Sequence, residues 1–186
     1  MFGQPIRDAR DAVLFEIAQV CWEEYIASFK SAIYAPVNQT AHFEETFCSS
    51  LVGLRERGNT YVRQFRRDAD VTKLIRGLSG NYGNALRYGA YLLGHVDGLE
   101  KTLEEAAPRA RATVQSLSWF SPLFERFSAN LNTMYRGYGS WAGLEVFEPL
   151  KGTVHDVLKV AGIEFQSRPG GEYYLNVPFT PETMPI

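Results

Sequence analysis

Cysteine, histidine and long apolar runs are scarce in these 186 residues, and each scarcity removes a class of explanation. Two cysteines, Cys21 and Cys48, provide neither a disulfide framework nor a paired zinc motif. Both fall among apolar neighbours on predicted helices, where a free thiol acts as a small hydrophobe, so both are expected to be reduced and buried. The three histidines, His42, His95 and His155, stand too far apart to mark a triad, and no GxSxG elbow, HExxH pair, kinase set or Rossmann fingerprint accompanies them. His42, Glu45 and Cys48 recur three apart, but a four-ligand zinc site needs further ligands at clear spacing, so neither metal nor cofactor is expected. No stretch of about 18 apolar residues occurs, which excludes an ordinary transmembrane helix. Arg7, Asp8, Arg10 and Asp11 interrupt any apolar signal-peptide core, and a cytoplasmic location with no membrane partner is expected.

What is present is an uneven distribution of positive charge. Arg55, Arg57, Arg63, Arg66, Arg67, Lys73 and Arg76 face only Glu56, Asp68 and Asp70, so residues 55–76 carry +4 in a chain whose net charge is −2. On a helix from about Thr60 to Arg76, Arg63, Arg66 and Arg67 lie together, with Lys73 and Arg76 on a neighbouring stripe. Tyr61 and Phe65 interleave with them, as in surfaces that hold a single-stranded nucleic acid by charge and stacking. Asp70 opposes this: it pairs with Arg66, Arg67 or Lys73 at helical spacing, or caps a separate helix from Val71. The run Ser79-Gly80-Asn81-Tyr82-Gly83-Asn84 reads as a loop, and lacks the Lys and Ser/Thr of a phosphate-binding loop. Asn81 and Arg87 join Arg63, Arg66, Arg67, Lys73 and Arg76 as the candidate anion-binding set.

Apolar residues at steps of three and four predict a helix from about Ile6 to Ala35 through Val13, Leu14, Ile17, Cys21, Tyr25, Phe29 and Ile33. A second is predicted through Phe43, Phe47, Leu51 and Leu54 and ended by Gly58, and another from Asn84 to Ala107. In the latter, Ala85 and Gly89, Ala90 and Gly94, and Gly94 and Gly98 lie four apart, low ridges on which another helix can pack closely. Helices follow from Pro108 to Ser118, from a Ser121-Pro122 start through Phe124, Phe127, Leu131 and Met134, and from a Thr153 cap through Val157 to Gly162. Ile163–Ser167 and Glu172–Val177 alternate as strands around Arg168-Pro169-Gly170-Gly171. Helix, Ala161-Gly162-Ile163 and hairpin, with His155, Leu158, Arg168, Gly171 and Tyr173-Tyr174-Leu175, resemble the last helix and wing of winged-helix regulators. That resemblance implies DNA contact through a basic helix, and here the basic residues are Lys151, Lys159 and Arg168.

The expected fold is mainly α: a multi-helix, bundle-like domain over residues 1–177 with a C-terminal β-hairpin at about 163–177, then a proline-rich tail, 178–186. The expected function is that of a non-enzymatic helical interaction or assembly protein acting through protein–protein contacts or self-association. Tyr138, Trp141 and Phe179 are its candidate contact residues. The alternatives are a nucleic-acid or polyanion binder using the basic segment, and an enzyme or small-ligand binder whose site is dispersed in sequence.

Overall fold

Asp8 opens the first helix by accepting the Asp11 N–H on its carboxylate at 2.8 Å, satisfying one of the donors that every helix start leaves unpaired. The computed structural model describes residues 8–167 and 173–184. The expected helix start at Ile6, the Arg168–Gly171 turn and the last two residues lie outside this range. Eight α-helices are described: α1 (Ala9–Ser31), α2 (Gln39–Leu51), α3 (Leu54–Asp68), α4 (Val71–Gly98), α5 (Leu103–Ala106), α6 (Pro108–Ser116), α7 (Ser121–Arg136) and α8 (Glu148–Val160). Strands β1 (Glu164–Ser167) and β2 (Tyr173–Asn176) form an antiparallel hairpin with Phe165 opposite Leu175. The chain is thus mainly α with a minor C-terminal hairpin, as its periodicity predicts.

The long helix α4 is the axis of the fold, with α1, α2 and α3 packed along it. Its buried positions step through Leu74, Leu78, Tyr82, Leu86, Ala90 and Leu93 without a break. Ser79–Asn84 is therefore not a loop but the middle of this helix. Each glycine there costs about 1 kcal/mol relative to alanine, but burial of Leu78 and Tyr82 on either side is worth more, at about 1.5–3 kcal/mol for a large side chain. Asn81 adds a bond, donating to the Leu54 carbonyl at 2.9 Å.

Other boundaries move for equally local reasons. The helix expected to end at Gly58 ends at Leu51, because Gly53 takes the left-handed conformation (φ 64°) and starts α3. Gly58 lies inside α3, where an added Cβ would fall 2.7 Å from the Tyr82 hydroxyl. The basic segment is two helices, since Ala69 turns left-handed (φ 53°) and Asp70 caps α4 by accepting the Lys73 N–H at 2.9 Å. The helix expected to run to Ala107 stops at Gly98, and a Thr102–Glu105 capping box starts α5. Thr153 is not a cap but a buried residue of α8, bonded to Asn130 at 2.8 Å. The first helix gives way after Ser31 to a single 3-10 turn, Ala32–Tyr34.

The small residues of α4 serve two contacts. A Cβ on Gly94 would lie 2.2 Å from the Tyr25 carbonyl oxygen, and one on Gly98 2.4 Å from that of Phe29, so α1 and α4 meet backbone to backbone. Tyr25 rivets the pair further by donating its hydroxyl to Asp97 at 2.6 Å, and burial together with this bond pushes the phenol well above its usual range. On the other side Gly89 makes room for Phe124 and Phe47, whose rings stack at 5.0 Å between α7 and α2.

His95 is buried beside Phe43, its Nε2 3.0 Å from the Thr40 hydroxyl, and His155 is half-buried near Phe165. Burial holds both below the ordinary value of 6.5. As pH falls below 6.5 the unfolded chain takes up protons that the folded chain refuses, so stability declines from there until the folded values are passed. Urea midpoints are expected to fall below pH 6.5, and His95→Gln to remove part of that dependence. An unchanged pH profile in the variant would contradict this role for His95.

Candidate functional site

Close contact of α1 and α4 at Gly94 and Gly98 does not continue along the pair. At Gly83 an added Cβ would meet Ile17 at an ordinary 3.4 Å, and at Gly80 it would meet nothing within 4 Å. The two helices run in the same direction and splay toward their N-terminal halves, leaving a groove of about 560 Å³. Val13, Ile17 and Val20 of α1 and Ile75 of α4 supply its apolar walls. Arg76 and Arg87 line it eleven positions apart on α4, with Ser79 and Asn84 between them.

Two buried polar atoms of this lining, the Ser79 hydroxyl and Arg87 Nε, have no hydrogen-bond partner among the described residues. Leaving such an atom unpaired costs about 1–3 kcal/mol, so the groove holds donors for which the fold itself supplies no acceptor. Arg87 also stands beside Cys21, whose thiol is pushed up by burial and pulled back by that charge. The apolar lining was visible in sequence as the unusual width of the α1 stripe: Leu14, Ala18, Cys21 and Tyr25 fill the core, while Val13, Ile17 and Val20 form a second, adjacent row. In sequence the two rows read as one stripe, and Ser79 lies in a run that reads as a loop.

The candidate anion-binding residues are not gathered on one surface. Arg76 and Arg87 line the groove, Arg67 is exposed on α3, and Asn81 joins α3 to α4 by accepting from Arg57 at 2.9 Å and donating to Leu54. Lys73 sits between Asp70 (3.2 Å) and Asp68 (3.6 Å); the bond and charge of Asp70 raise its proton affinity. Arg63 and Arg66 bind the chain's own tail. Arg63 pairs with Glu56 and donates to the Glu182 carbonyl at 2.8 Å. Arg66 donates to the carbonyls of Thr183 (2.9 Å) and Pro178 (2.7 Å), and its guanidinium lies 3.8 Å over the Phe179 ring.

The tail is thus a strap on α3, turned by Pro181–Thr183, with Thr183 buried and its N–H bonded to the Thr180 carbonyl at 3.0 Å. Charge-assisted bonds of this kind are worth more than neutral ones. Arg66→Ala is expected to speed amide exchange at Thr183 by about tenfold or more while α4 amides keep their protection. Unchanged exchange at Thr183 would show that the strap is held by other contacts.

The aromatic candidates divide similarly. Phe179, 70% exposed, carries Arg66 on one face. Tyr138 and Trp141 both pack on Trp22, at 5.6 and 5.0 Å, and Trp141 donates its indole N–H to the Met134 carbonyl at 3.2 Å. Trp141 is half-buried there, while Tyr138 is exposed at the loop after α7, with one face covered by Lys30. The α8 lysines that the winged-helix resemblance brings forward are engaged as well. Lys151 is buried between Asp11 and Glu148, and Lys159 pairs with Glu164 at 2.7 Å; Arg168 lies outside the described residues.

Cys21 is buried and Cys48 half-buried, its sulfur 3.6 Å from the Thr113 hydroxyl; both are free thiols. Full burial was expected of Cys48, but α2 places it at the edge of the contact with α6 rather than beneath it. Among the described residues, no three His, Cys, Asp or Glu side chains gather as a metal-ligand set, and no helix is long and apolar enough to cross a membrane. Comparison with protein-family models, curated proteins and solved structures finds no match.

Proposed function

We propose that this chain is a non-enzymatic interaction protein of the cytoplasm, acting through protein–protein contacts made in the α1–α4 groove. The observation that carries this is Gly80. A glycine in the middle of a helix costs about 1 kcal/mol relative to alanine, and at Gly94 and Gly98 close packing explains it. At Gly80 nothing stands within 4 Å of the place a Cβ would occupy, so no intramolecular contact calls for glycine. What glycine preserves there is the depth of an apolar channel between two helices, the shape that receives an amphipathic helix from a partner.

Gly80→Leu sets its Cβ where nothing stands within 4 Å, extends into the groove and replaces a poor helix former with a good one, so the variant is expected to keep its fold. Random peptides displayed on phage are selected on the parent chain and then challenged with Gly80→Leu. Enriched peptides are expected to bind the parent and lose at least about tenfold in affinity for the variant. Failure to enrich any peptide, or enrichment of peptides that bind both chains equally, would overturn the proposal.

A further inference from the structure

We infer that the groove takes an acidic amphipathic helix, with carboxylates set about three turns apart at the two ends of its apolar face. This rests on the groove being the contact surface and adds the chemistry of the occupant. Arg76 and Arg87 are eleven residues apart on one straight run of α4, about 16 Å along the axis at 1.5 Å per residue. Among the described residues neither makes an ion pair, whereas Arg63 and Lys73 are paired with carboxylates and Arg57 and Arg66 donate to backbone carbonyls. Between the two arginines lie apolar walls and Gly80, so the groove is charged at its ends and oily in the middle. Glu16 is the acidic member of its lining, exposed on the α1 side, and leaves the lining with a net positive charge.

The unpartnered atoms point the same way. Arg87 Nε carries only a donor hydrogen, and neither it nor the Ser79 hydroxyl, about two turns earlier on α4, has a hydrogen-bond partner among the described residues. A carboxylate answers Arg87 with charge as well as with a hydrogen bond. A small amphipathic acid would engage one arginine and leave the other bare across a gap of about 16 Å. A helix of about three turns reaches both.

The test uses the full chain and three synthetic helical peptides that share one leucine stripe and differ only at two flanking positions eleven residues apart, which are both Glu, both Gln or both Lys. Fluorescence anisotropy is expected to give binding about tenfold tighter for the Glu peptide than for the Gln peptide, and weaker still for the Lys peptide. Added salt should narrow the differences. Arg76→Glu, at an exposed position, should reduce the Glu preference, and Arg76→Glu with Arg87→Glu should invert the order. If the double variant does not fold, the single one decides. Equal binding of all three peptides, abolished by Gly80→Leu, would overturn the acidic partner and leave the groove proposal standing. Binding of none would overturn both. A concentration-dependent dimer in sedimentation, lost in Gly80→Leu, would replace the acidic helix with a second copy of this chain.

Discussion

Gly94→Val is expected to lose at least about 3 kcal/mol of stability, a large part of the 5–15 kcal/mol of an ordinary domain, and to be folded poorly if at all. A Cβ at this position would overlap the Tyr25 carbonyl oxygen at 2.2 Å and the Tyr25 carbonyl carbon at 2.9 Å. These are backbone atoms of α1, so relief requires moving the whole helix, and α1 is also held to α4 through Tyr25 and Asp97. Gly80→Ala, fourteen positions earlier on the same helix, is expected to raise stability by about 0.5–1 kcal/mol, because it gains helix propensity and meets nothing. Urea denaturation of the two variants checks both signs at once. A Gly94→Val chain as stable as the parent would mean that α1 and α4 are not in backbone contact.

Phe124→Ala is expected to cost about 3–5 kcal/mol. The ring is 2% exposed, stacks on Phe47 at 5.0 Å and approaches Phe120 at 5.6 Å and Phe127 at 6.1 Å, so its loss opens a cavity where α2, α4 and α7 meet. Gly89 couples to it, since a Cβ there would lie 2.7 Å from Phe124 Cε2. Gly89→Ala alone is expected to destabilise, and the Gly89→Ala, Phe124→Ala double variant to lose clearly less than the sum, because the added methyl enters the vacated space. Additive losses in thermal denaturation would place the two residues out of contact.

Much of this architecture was legible in the sequence. The stripes of α1 and α7, the Pro108 start of α6 and the hairpin after Gly162 all follow from local periodicity and turn chemistry. The misjudged run was Ser79–Asn84, where three polar residues and two glycines signal a loop; the burial of Tyr82 against α3 and of Leu78 in the core, which holds the run helical, depends on parts of the chain remote in sequence. Charge misled in a related way. Arg63 and Arg66 look like an anion site because, apart from Glu56 beside Arg63, the groups they hold are the carbonyls of Pro178, Glu182 and Thr183, which lie more than a hundred residues away and carry no formal charge.

The candidate groove shows the same division. In sequence Arg76 and Arg87 stand out as candidate anion-binding residues, and the glycines of α4 as sites of close packing. That one end of α4 uses its glycines to touch α1, while the other leaves Gly80 open opposite Val13 and Ile17, is set by the splay of two helices. No pattern in a single sequence reports that splay. The width of the apolar arc on α1 was the available sign, and it reads equally well as core.

The most direct measurement is amide chemical-shift mapping of the full chain titrated with a peptide selected on it. Shifts concentrated on Ile17, Ser79, Gly80, Gly83 and Arg87 are predicted, with the exposed turn at Ile33 and Tyr34 and the basic face of α3 at Arg67 unchanged. Shifts confined to that turn or that face, with the groove residues silent, would contradict the assignment of the α1–α4 groove as the contact surface.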